Sequence, residues 1–114
     1  MKGTPAPHIK IAAAGGTVRA TFKGELIAET RDALAMNEGS YPTVYYFPRK
    51  DVKMERLSRS GHRTHCPFKG DAAYFSLVGG PENAVWTYEA PYDEMSQIKE
   101  RLAFYPDKFE IKPS

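Results

Sequence analysis

Apolar and polar residues begin to alternate at Thr17, and the alternation returns in short bursts along most of the chain. Val18, Ala20 and Phe22 alternate with Arg19, Thr21 and Lys23, and Gly24 turns the chain into residues 25–29, which predicts an antiparallel hairpin. Residues 31–37 are ambiguous, since Ala-Leu-Ala-Met favours a helix but the segment is short enough to be a third strand. Pro42 leads into a run of Val and aromatic residues at 43–47, a strand that Pro48 closes. Residues 52–57 predict a further strand and the polar residues 58–62 a loop. Residues 73–78 and 84–89 predict a second hairpin across Gly79-Gly80-Pro81.

Near the C-terminus the period changes. Met95, Ile98, Leu102 and Tyr105 fall three, four and three residues apart, with Asp93 and Glu94 at one end and Lys99 and Arg101 towards the other. That spacing and charge order predict an α-helix from Tyr92, stopped by Pro106, with Phe109 and Ile111 in a short closing strand. Residues 1–16, rich in Pro, Gly and Ala, read as an irregular N-terminal arm, and residues 17–114 as a single domain. The expected architecture is mainly β, a small antiparallel domain of about seven short strands with one C-terminal α-helix packed across them.

At 114 residues, 41% hydrophobic and 26% charged, the chain has enough material for one unstapled core. One cysteine forms no internal disulfide, so a reducing, cytoplasmic setting is expected. No apolar run reaches the roughly 20 residues of a membrane helix, and no export signal opens the sequence, so no membrane partner is expected. The net charge of +2 is uneven. Residues 49–69 hold seven cations against Asp51 and Glu55, a balance of +5, so the remainder carries −3. Such a basic quarter attracts a small anion or a phosphate, or is simply a solvated loop.

The densest chemistry lies at 63–75, R-T-H-C-P-F-K-G-D-A-A-Y-F. Cys66 has Arg63, His65 and Lys69 within three residues, cations that favour a thiolate, so it is the candidate nucleophile with His65 as a possible base. The competing and stronger reading makes Cys66 a small core residue, with His65 pointing to the other face of an extended strand. His62, His65, Cys66 and Asp71 lack the paired knuckles of a structural zinc site, so no metal and no cofactor are expected.

Arg49 follows Pro48 at a strand end, where its planar fork suits a phosphate or carboxylate, and Lys69 precedes Gly70, which lets a ligand come close. Local pairing offers the alternative: Arg49 with Asp51, Lys69 with Asp71. The candidate ligand-binding set is therefore Tyr46, Arg49, His65, Lys69 and Asp71. Tyr45 and Tyr46 point to opposite faces of a strand, so one is core and the other is open to line a pocket. Trp86, Tyr74, Tyr88 and Tyr105 either fill a β core or stack on a flat ring. A single basic patch on a weakly charged chain argues against nucleic acid.

The motifs V-Y-Y-F-P-R-K-D-V at 44–52 and T-H-C-P-F-K-G-D-A-A-Y at 64–74 resemble a bacterial family, the domain of unknown function numbered 427, sometimes grouped by name with nucleotidyltransferases. The likeness runs from V-R-A-T-F-K-G-E-L-I-A-E-T at 18–30 to A-F-Y-P-D-K-F at 103–109, with W-T-Y at 86–88 between them. The resemblance implies a small coiled β domain, β-tent-like or roll-like and barrel-like in shape, and implies little about activity. The chain carries neither a phosphate-cradling P-loop nor a Gly-Ser pair with paired metal carboxylates, so the transferase name supplies no mechanism. Two functions remain: a domain that binds or transforms a small anion, nucleotide or phosphate-bearing, near Arg49 and Lys69, or a non-enzymatic interaction module, as a homodimer, docking an acidic partner.

Overall fold

The computed structural model describes residues 8–114 and is built almost wholly from antiparallel strands. In chain order these are β1 (Ile9–Ala13), β2 (Val18–Phe22), β3 (Glu25–Thr30), β4 (Leu34–Glu38), β5 (Val44–Tyr46), β6 (Leu57–Cys66), β7 (Gly70–Leu77), β8 (Val85–Thr87), β9 (Leu102–Phe104) and β10 (Glu110–Pro113). They form three sheets, ordered β1-β4-β5, β10-β2-β3 and β6-β7-β8-β9. The first hairpin is as expected: Lys23 and Gly24 both adopt positive φ, 48° and 85°, and close a two-residue turn between Phe22 and Glu25.

Alternation sends the two faces of the four-stranded sheet into two separate cores. Phe75, Leu77, Val85, Leu102 and Phe104 pack with Val18, Ala20 and Ile27 of the β2–β3 hairpin. Ala72, Tyr74 and Ala103 face the other way, with Met36 of β4 and Tyr46 of β5. Both faces of this sheet are covered, so strand residues of either parity are buried, on β9 as on β7. Leu102, Ala103 and Phe104 are all buried.

That burial explains the main departure from expectation. The predicted C-terminal α-helix is absent: residues 93–98 form 3-10 turns broken at Met95 (φ −114°, ψ 18°), Glu100 takes φ 62°, and residues 102–104 are a strand. Met95 and Ile98 are one tight turn apart and both reach the second core, while Leu102 lies on β9. Two different elements thus reproduce a helical spacing. A short isolated helix is marginal by itself, and β9 gains ladder bonds to β8 plus the reciprocal pair Phe47 N–H to Leu102 C=O (2.7 Å) and Leu102 N–H to Phe47 C=O (2.8 Å).

Four smaller expectations are also corrected. Residues 58–62, read as a loop, belong to β6. This is an edge strand paired only to β7, and most of its polar side chains are exposed, so it lacks the apolar alternation of a half-buried strand. Of residues 52–57, expected as a strand, only Leu57 is in one, at the start of β6: Val52 makes one bridge to Ala28 and Met54–Arg56 is a 3-10 turn. The ambiguous 31–37 segment resolves as strand β4. Within the arm, Ile9–Ala13 pairs with β4, while residues 1–7 lie outside the described residues.

Candidate functional site

Between the β1-β4-β5 sheet and the second face of the four-stranded sheet lies a cleft of about 660 Å³. Its walls are aromatic. Tyr46 comes from β5, Tyr74 from β7, Trp86 from β8, and Tyr88 and Tyr105 from the segments that follow β8 and β9. Trp86 and Tyr105 are tilted against each other with ring centres 4.5 Å apart, and the Trp86 indole N–H donates to the Tyr46 hydroxyl at 3.4 Å. The Tyr74 hydroxyl bonds Thr64 Oγ1 at 2.9 Å and lies 3.5 Å from the Tyr105 hydroxyl. Burial pushes the phenols of Tyr46, Tyr88 and Tyr105 well above their ordinary range, so they are neutral hydrogen-bonding groups on an apolar wall.

Two charged groups meet in this cleft. Lys69 is only 7% exposed, and its ammonium donates to Glu38 Oε1 at 2.8 Å. The β6–β7 turn sets that position: Lys69 N–H reaches Cys66 C=O (3.3 Å), Lys69 C=O accepts from Tyr92 N–H (3.0 Å), and Gly70 takes φ +111°, a conformation that side chains disfavour. Glu38 ends β4. Its second oxygen, Oε2, lies 3.7 Å from His8 Nε2.

Of the candidate ligand-binding set, Tyr46 and Lys69 line this cleft, together with the aromatics Tyr45, Tyr74, Trp86, Tyr88 and Tyr105 singled out in the sequence, whereas Arg49, His65, Asp71 and the candidate nucleophile Cys66 do not. Cys66 is half-buried against the second core, its Sγ 3.9 Å from Lys69 Nζ but not on the cleft wall. His65 bonds Asp71 across the strands (Nδ1 to Oδ1, 2.8 Å), and both side chains are largely exposed. His65 is therefore engaged away from Cys66, as alternation along a strand dictates. Among the described residues no three His, Cys, Asp or Glu side chains gather as a metal site.

Arg49 belongs to the opposite face. Its Nε donates to Glu100 C=O (2.6 Å), and one terminal nitrogen reaches Glu89 Oε2 (3.2 Å) and Thr87 Oγ1 (3.3 Å). Its guanidinium stands 5.7 Å from the centre of the Phe75 ring, and Arg59 flanks the same ring and shares Glu89. These hydrogen bonds, Arg59's first, hold the Glu89 carboxyl below its ordinary range. Neither local pairing predicted from sequence forms: Arg49 takes Glu89 rather than Asp51, and Lys69 takes Glu38 rather than Asp71.

Sequence reasoning missed Glu38 and Glu89. Each meets its cation across 31 and 40 residues of chain respectively, and nothing local to either carboxylate signals that meeting.

A family model described as a domain of unknown function (DUF427) matches residues 10–112. No curated protein matches the chain. No helix among the described residues is long and apolar enough to cross a membrane.

Proposed function

The chain belongs to the DUF427 family, a family without an assigned activity, and we propose that this member is a small-ligand-binding domain whose ligand is a compact anion carrying a flat ring. One observation carries the proposal: an ammonium group, that of Lys69, is held almost out of water inside an aromatic-walled cleft. Burying a cation is costly unless it is paired and hydrogen-bonded, so the buried Lys69 ammonium calls for an anion, here Glu38, and the cleft's volume falls in the range of small-molecule sites. The ring would stack among Trp86, Tyr105 and Tyr46, the neutral phenols would supply hydrogen bonds, and Lys69 would take the phosphate or carboxylate. The lone thiol supports a reducing, cytoplasmic setting for this activity.

Trp86 is the single tryptophan of the chain, so its fluorescence reports directly on the cleft. Titration with nucleotides, phenyl phosphate and benzoate is expected to give a saturable change that Lys69→Met abolishes while the fold persists. If no anion in the panel perturbs Trp86, the interaction module becomes the better reading, and the homodimer is then tested by sedimentation.

A further inference from the structure

We infer that Glu38 is a built-in competitor for the ligand's anionic group: its carboxylate occupies the Lys69 ammonium and must yield before an anion binds there. The inference rests on the cleft being the ligand site. It follows from an asymmetry between two partners that are only 2.8 Å apart. The Lys69 side chain is 9% exposed, whereas that of Glu38 is 24% exposed. Lys69 is also anchored by a turn whose backbone is bonded at both Lys69 N–H and Lys69 C=O.

The two groups would fare differently if displaced. A cationic ligand would have to remove Lys69 from Glu38 and leave an ammonium among Tyr74, Trp86 and Tyr88, without the carboxylate it now has. An anionic ligand removes Glu38 instead. That carboxylate already lies beside an imidazole, with Oε2 3.7 Å from His8 Nε2, and it is closer to solvent. The exchange leaves neither charge buried alone: the ligand sits on Lys69, and Glu38 turns to water beside the His8 ring. The site is therefore selective for anions even though its resting charge pair is neutral. Its affinity is set by how readily Glu38 lets go.

The link to His8 extends the effect to β1. Gly39 N–H donates to His8 C=O at 3.2 Å, so the end of β4 and the residue preceding β1 are also held together by backbone.

Binding of phenyl phosphate, followed through Trp86, tests the inference in wild type, Glu38→Gln and Lys69→Met. Glu38→Gln keeps the shape of the side chain and removes the competing charge, and is expected to bind phenyl phosphate about tenfold more tightly than wild type, or 1.4 kcal/mol. Lys69→Met is expected to lose binding. Equal or weaker binding by Glu38→Gln, with wild type still binding, overturns the competitor role and leaves the ligand site standing. Absence of binding in wild type and Glu38→Gln alike overturns both.

A second measurement needs no variant. In wild type the carbon resonance of the Glu38 carboxyl group is expected to shift as phenyl phosphate saturates the cleft. A resonance that stays fixed at saturation shows that the ion pair persists, and sinks the inference even if Glu38→Gln fails to fold.

Discussion

Arg49 and Lys69 lie on opposite faces of one sheet. Arg49 reaches Thr87, and Lys69 shares its cleft with Trp86, the neighbouring residue on β8. Successive residues of a strand point to opposite sides, so one residue's difference in register separates the two cations. The basic stretch 49–69 therefore does not act as a single patch. One cation ties the sheet to the Pro48 corner and the end of the 3-10 segment, and the other faces a cleft.

Replacement of Arg49 by Ala is accordingly expected to destabilise the fold. The guanidinium satisfies Glu100 C=O and contributes to Glu89 and to the fully buried Thr87. Loss of such charge-assisted bonds costs about 2 kcal/mol, or roughly 8 °C in Tm for a domain of this size. Thermal unfolding measures it. A Tm within about 2 °C of wild type, together with loss of anion binding, would return Arg49 to the ligand site.

Glu89 gives the fold an acid-sensitive joint. Its carboxyl is held below the ordinary range by Arg59 and Arg49, so the folded state favours the ionised form. The resulting stability is fully present above the unfolded pKa, near 4.3, and is lost as pH falls through the lower folded value. Glu89→Gln should therefore be less stable than wild type near neutrality, and the difference should shrink as the medium is acidified below pH of about 4. Urea melts across that range decide it. A difference independent of pH would mean that Glu89 acts through shape rather than charge.

How far the sequence discloses the fold depends on the reach of the interactions. The β2–β3 hairpin is legible because its alternation and its Lys23-Gly24 turn are local. Strand β9 is not, because Leu102–Phe104 are apolar on both faces only through being inserted between β8 and Phe47. The edge strand β6 hides for the opposite reason, since solvent touches both of its faces over much of its length. Tyr46 and Lys69 are recognisable as residue types suited to a site. Glu38 and Glu89 become visible only when distant strands bring them to their cations.

Three phenols of the cleft, buried at Tyr46 and Tyr88 and partly buried at Tyr105, make the fold sensitive to alkali. Burial raises Tyr46, Tyr88 and Tyr105, with the Tyr74 hydrogen bond adding to the effect at Tyr105. The folded state thus prefers the protonated phenol. The stability this contributes is complete below the unfolded pKa of about 10 and is progressively lost as pH climbs towards the raised folded values. Phenolate absorbance should show these three groups ionising together with the loss of circular dichroism. Their ionisation while the dichroism of the fold is unchanged would contradict a closed aromatic wall.

Gly16→Ala is expected to release the C-terminal strand ahead of the rest of the fold. Gly16 takes φ +61°, and a Cβ there would stand 2.5 Å from Ser114 C=O. That carbonyl belongs to a clasp in which Ser114 N–H donates to Thr17 C=O (2.8 Å) and Thr17 N–H donates to Ser114 Oγ (3.2 Å). Beyond the clasp, β10 pairs only with β2. Gly15 provides the control, because its φ is +72° but nothing lies within 4 Å of an added Cβ. Gly15→Ala should therefore cost only the left-handed conformation, roughly 1 kcal/mol, while Gly16→Ala adds the clash and costs about 2 kcal/mol or more. Hydrogen exchange separates local from global loss. The amides of Lys112 and Ser114 should exchange markedly faster in Gly16→Ala, while those at the centre of β7 change far less. Equal acceleration in both variants would show that backbone conformation alone sets the cost, and that Ser114 moves aside without releasing β10.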